Sequence, residues 1–140
     1  MKNRALAAKA ILIVENDQLL KLLTIDILEE AGFVVLDAAD ADEAVTVLAG
    51  RTDIAVLLTG INLSGSMDGV SLAHAVRARW PHIKIVAVSG RTHLSAVDFP
   101  AESRFLRKPY HSAAMISAIR TLIDTADARR DGNSQVYLDV

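Results

Sequence analysis

Ala10-Ile11-Leu12-Ile13-Val14, running directly into Glu15-Asn16-Asp17, is the stretch that decides the fold. A short run that is apolar at every position and rich in β-branched residues suits a strand buried on both faces, the environment of a parallel sheet. The polar residues that end it abruptly mark the strand's carboxyl end. The next stretch, Gln18 to Ala31, places Leu19, Leu22, Leu23, Ile27 and Leu28 on one helical stripe. Asp17 is its expected N-cap and Gly32 its stop.

Outward from this unit the same alternation repeats. Phe33-Val34-Val35-Leu36 reads as a second strand, and Asp40 opens a helix carrying Ala44, Val45, Val47 and Leu48 before Gly50. Ile54 to Leu58 is a third strand. A loop rich in Gly and Ser, Gly60 to Asp68, leads to a helix from Gly69 to Trp80 that Pro81 stops. Ile83 to Val88 and Arg104 to Arg107 are the fourth and fifth strands, and Arg91 to Glu102, interrupted by Pro100, has room for only a short helix. The last helix, from about Ser112 to Ala126, sets Ala113, Ile116, Ile119, Leu122 and Ile123 at helical spacing. The polar remainder contains one apolar triplet, Val136-Tyr137-Leu138, which is either loose or an added edge strand. Strands alternating with helices imply crossovers, a parallel sheet and helices on both faces. The working site of such a sheet lies beyond the carboxyl ends of its strands.

Composition sets the limits. With 140 residues, 51% of them apolar, the chain can bury one full core. A net charge of −2 lacks the global signature of a nucleic-acid binder. The chain has no cysteine, which removes disulfides, thiolate metal sites and thiol catalysis. Met1 to Ala10 has no apolar core of the signal-peptide kind, and the apolar runs are strand-sized. The expectation is a cytoplasmic protein that binds neither nucleic acid nor membrane. His74, His82, His93 and His111 fall on different elements and show no metal spacing. Arg104, Arg107, Lys108 and Arg120 are either solvated charge or a basic patch for an acidic partner.

Ile11-Leu12-Ile13-Val14-Glu15, Leu57-Leu58-Thr59-Gly60-Ile61-Asn62-Leu63, Met67-Asp68-Gly69, Val88-Ser89-Gly90 and Phe105-Leu106-Arg107-Lys108-Pro109-Tyr110 follow one another in that order. Together, over residues 9 to 125, they resemble the motifs of response regulator receiver domains. The resemblance implies an α/β, flavodoxin-like (CheY-like), doubly wound five-stranded parallel sheet in the order 2-1-3-4-5. Here the fourth helix is shortened. The domain would span 9–126, between an N-terminal extension 1–8 and a C-terminal tail 127–140. It also implies a chemistry. A histidine kinase's phosphoryl group passes to an aspartate at the end of the third strand, where the carboxylate becomes an acyl phosphate. Mg²⁺ on an acidic pair after the first strand offsets the phosphoryl charge. A hydroxyl and a lysine after the fourth and fifth strands then grip the oxygens.

Carried over residue by residue, Glu15 matches the first acid, Ser89 the hydroxyl, Lys108 the lysine, and Phe105 the aromatic whose rotamer switches in many members. Asn62 falls where the family uses a backbone carbonyl as metal ligand. Two positions depart from the pattern. Gly60 stands where the phospho-accepting aspartate belongs, and Asn16 replaces the second acid. Glycine has no nucleophile, and an amide brings no charge to a cation. Asp17 and Glu15 are what remains as candidate metal ligands, so Mg²⁺ binding is expected to be weak or lost and no cofactor is expected. Thr59 should point away from the site because side chains alternate along a strand. Asp68 is expected to support its turn. The chain thus reads as a stand-alone pseudo-receiver of two-component (phosphorelay) signalling, with no catalytic residues and no enzymatic activity. Its expected partner is a protein, a histidine kinase or another two-component protein, and a homodimer is a further possibility. The alternative reading is a receiver pocket whose switch ligand is a small anion or nucleotide, bound by Ser89, Lys108 and strand-end amides.

Overall fold

A computed structural model describes residues 9–61, 63, 67–89, 98–107, 112–126 and 136–138. In chain order its elements are β1 (Ala10–Val14), α1 (Gln18–Glu30), β2 (Val34–Ala38), α2 (Ala41–Ala49), β3 (Ile54–Gly60), α3 (Gly69–Arg79), β4 (Lys84–Ser89), β5 (Arg104–Arg107), α4 (Ser112–Ala126) and β6 (Val136–Leu138). The sheet is parallel throughout. Its first five strands stand in the order 2-1-3-4-5, and β6 adds a sixth beside β5. Residues 90–97 carry most of the shortened helix expected between β4 and β5, and they lie outside the described residues, as do 1–8 and 127–135.

Alternation along the strands divides the core into two layers. Leu12, Val14, Leu57, Ile85, Ala87 and Phe105 face α2 and α3, where Ala44, Leu48, Leu72 and Val76 meet them. Ile11, Ile13, Leu58, Val86, Val88 and Leu106 face α1 and α4 and bury Leu28, Met115 and Ile119. Every residue of β1 is buried, as its unbroken apolar run requires. β2 is an edge strand whose Val34 and Asp37 are exposed. It begins one residue later than its apolar run suggested, because Phe33 belongs to the end of α1. There Gly32, at φ 99°, donates to Glu29 O and Phe33 N donates to Leu28 O, the paired bonds of a Schellman ending.

The helix starts follow local side-chain chemistry. Asp17, Asp40 and Asp68 each sit in extended backbone and accept from the amide three residues on, at Leu20, Glu43 and Ser71. α1 is rotated away from the stripe its leucines suggest. Leu19, Leu22 and Leu23 are exposed at 67%, 55% and 51%, while Lys21, Thr24 and Leu28 are buried. The helix has apolar residues on more than one face, so its orientation is set by what its two inward polar groups reach. Lys21 Nζ lies 3.1 Å from Asp37 Oδ2 at the end of β2, and Thr24 lines the cavity below Gly60.

A buried ammonium that loses its counter-charge is costlier than one replaced outright by an apolar chain. Asp37→Asn is therefore expected to lower the unfolding free energy by about 1–3 kcal/mol, and Lys21→Met by less than about 1 kcal/mol. Urea denaturation of the two variants checks this, and the opposite ranking would show that the pair does not orient α1.

Candidate functional site

Parallel register brings the strand ends together. Val14 pairs with Thr59, Gly60 with Val88, and Ser89 with Arg107. Glu15, Gly60 and Ser89 therefore stand on the same edge of adjoining strands. The Ser89 side chain, Asn62 and Lys108 lie outside the described residues.

Glu15 is buried, at 8% exposure, and its Oε2 accepts from Asp17 N at 3.0 Å. Gly60 faces it. A Cβ built on Gly60 would lie 3.3 Å from Glu15 Oε1 and 3.6 Å from Leu63 Cδ2. The backbone at Gly60 is not in the left-handed region, so a larger residue is admitted if Glu15 yields by a few tenths of an ångström. Its side chain would project directly at the Glu15 carboxylate. Beneath lies a cavity of about 10 Å³ lined by Glu15, Thr24, Thr59, Gly60 and Val88 among others, at the lower limit of what holds one water molecule.

The neighbouring polar groups are committed elsewhere. Thr59 is fully buried and its hydroxyl donates to Gly60 O at 2.8 Å. Asp17 Oδ1 accepts from Leu20 N at 3.0 Å as the cap of α1, and Asn16 is exposed. Among the described residues no three His, Cys, Asp or Glu side chains gather as metal ligands. Mg²⁺ requires a near-octahedral oxygen shell anchored by carboxylates, and one buried glutamate beside a glycine does not fit that demand.

Phe105 is 4% exposed, with its ring edge-on to Phe99 at a centroid distance of 5.3 Å. That places it in the α2–α3 layer and away from solvent. Of the basic residues singled out near β5, Lys108 and the Arg107 side chain lie outside the described residues, and Arg120 has partners of its own. It donates to Ala31 O at 2.6 Å and lies over the Phe33 ring, tying α4 to the end of α1. His74 Nε2 lies 2.7 Å from Asp98 O.

Gly69 is a structural participant that the sequence reading left unassigned. Its N donates to Ile61 O at 2.8 Å. A Cβ there would overlap the Gly60 carbonyl oxygen and stand 2.9 Å from Ile61 Cα. The first turn of α3 is thus pressed on the end of β3, fixing the backbone at Gly60 and Ile61. A glycine between the Asp68 cap and Val70 was the available signal, since glycine is a poor choice inside a helix unless something approaches closely.

The response regulator receiver domain family matches residues 11–120. The chain is 30% identical over 129 residues to the nitrogen assimilation regulatory protein NtrX of Azorhizobium caulinodans, covering 89% of this chain and 28% of that one. It thus spans little more than a quarter of that relative's length. To the response regulator receiver protein CpdR of Brucella abortus it is 27% identical, covering 84% of this chain and 99% of the other. A crystal structure of a response regulator receiver protein from Sinorhizobium medicae superposes with a TM-score of 0.79 at 30% identity, covering 86% of this chain and 98% of that one.

Gly69→Ala should force α3 off the end of β3 and cost about 1–3 kcal/mol, the usual penalty for overpacking. Equilibrium unfolding measures it. A neutral substitution would mean that the α3 start is not what holds the Gly60 backbone.

Proposed function

This chain belongs to the response regulator receiver domain family, and from that premise we propose that it signals by contact with another protein and without aspartyl phosphorylation. The observation that carries the reading is Gly60. It ends β3 facing Glu15, the place where the family resemblance puts the phospho-accepting aspartate, and it has no nucleophile to offer. Thr59, the adjacent hydroxyl, is bonded to the Gly60 carbonyl, and Asp17 serves α1 as its cap.

The chain's setting in this proposal is a cytoplasmic two-component system, in line with the likeness to NtrX and CpdR. No described helix is long and apolar enough to cross a membrane. The contact surface we assign is α1. Leu19, Leu22 and Leu23 lie one helical turn apart and are more than half exposed, a grouping that soluble surfaces rarely leave without a partner. Asp26, Glu29 and Glu30 are exposed further along the same helix, which suits a partner with an apolar face and basic flanks.

Two outcomes test the proposal. With Mg²⁺ and beryllofluoride, a phosphoryl mimic that binds carboxylates, the wild-type Tm should not move, whereas Gly60→Asp should gain several degrees through ligand linkage. A wild-type rise equal to the variant's would contradict the loss of the phosphoryl site. Leu22→Asp and Leu23→Asp should leave stability within about 0.5 kcal/mol, because both positions are exposed. They should weaken retention of a histidine kinase, drawn from a purified panel, at least tenfold. Unchanged retention would move the contact to another face.

A further inference from the structure

β6 lies outside the stretch that matches the receiver family, residues 11–120, yet it completes the sheet. Val136, Tyr137 and Leu138 pair in parallel with Arg104, Phe105 and Leu106. These three are also the only consecutive apolar triplet after α4, and the nine residues before them, 127–135, are mostly polar and include Gly132. A short segment of high β-propensity at the end of a polar tether is built to reach a sheet edge.

The β5 edge needs such a cover. A terminal strand presents unpaired N–H and C=O groups and accepts any extended segment of suitable register. At the other end of the sheet β2 meets this liability with the exposed Asp37 among its five residues. β5 meets it with β6. The β5–β6 ladder has three register pairs against five for β1–β2, so it is the ladder that opens first. Nine tethering residues reach roughly 30 Å when extended.

We propose that the β5 edge is a strand-binding site, occupied in cis by Val136–Leu138, and that when vacated it takes the same Val-Tyr-Leu segment from a second copy of this chain. The recognition is main-chain pairing in parallel sense, with the apolar triplet selected over the polar residues around it. The cis strand, being tethered, outcompetes a free one through its effective concentration, so the intact chain resists exchange at low concentration. The inference is independent of how Gly60 is read.

A fluorescent peptide covering Ser134 to Val140 is the probe. It is titrated against the full chain, against a chain ending at Ala126, and against the full chain carrying Val136→Pro with Tyr137→Pro. Adjacent residues of a strand point their N–H groups to opposite sides, so one of the two prolines must remove a donor to β5. The shortened chain and the double-proline chain should bind the peptide at least tenfold more tightly than the full chain. Hydrogen exchange should show about half of the amides at Arg104–Arg107 losing protection in both, since only alternate amides face β6. If the shortened chain does not fold, the double-proline chain gives the result alone. Equal peptide binding by all three chains, or a folded opened chain that binds none, would overturn the proposal.

Discussion

Parallel pairing obliges every strand of this sheet to finish on the same edge, and the rest of the molecule follows from that constraint. Because Val14 lies beside Thr59 and Gly60 beside Val88, the residues that follow β1 and end β3 and β4 meet with no loop required to carry them there. The helices must run back along the two faces, and their starts return to the same edge. Asp17 and Asp68 consequently cap α1 and α3 at the rim of the site. Gly69 closes the arrangement by letting the start of α3 touch the end of β3. The geometry is a consequence of topology and does not depend on which side chain ends β3.

In the reading proposed above, the residue that matters most there is Gly60. Gly60 lies beside a cavity of about 10 Å³ and a buried Glu15 that accepts a backbone amide on one oxygen. An aspartate would need Glu15 to yield by a few tenths of an ångström and would bring a second carboxylate against the first, an arrangement that raises one pKa unless a cation sits between them. Without it, Gly60 itself offers neither a nucleophile nor an anionic ligand at the end of β3. Protein contact remains available, and α1 offers an unburied leucine face for it. The inward pull of Lys21 toward Asp37 is what turns that face to solvent.

Much of this was legible in the sequence, for identifiable reasons. β1 is apolar at every position and could only be buried on both faces. Asp17, Asp40 and Gly32 act on backbone groups within a few residues, so local chemistry sufficed to place them. The five-strand order came from the motif resemblance and was found in the sheet. The face of α1 was not legible, because a helix with apolar residues all round gives periodicity no unique answer. The missing information was a tertiary partner, Asp37, on a different element. Arg120 escaped for the same reason: its acceptor, Ala31 O, is 89 residues away. β6 was left open because a three-residue apolar triplet is too short to distinguish from a loop until an edge is known to need it. Of the proposed site residues, Glu15, Asn16, Asp17 and Gly60 are seen at one edge, while Asn62, Lys108 and the Ser89 side chain lie outside the described residues.

The central claim is that the β3 terminus no longer accepts a phosphoryl group, and intact-mass spectrometry tests it most directly. Wild-type protein and Gly60→Asp are each incubated with acetyl phosphate and Mg²⁺, then weighed before the acyl phosphate hydrolyses. The account predicts an unmodified wild-type mass and a phosphoryl adduct on the variant. A labile phosphoryl adduct on the wild-type chain would contradict it, and would direct attention to Asp17 and Thr59 as the acceptor.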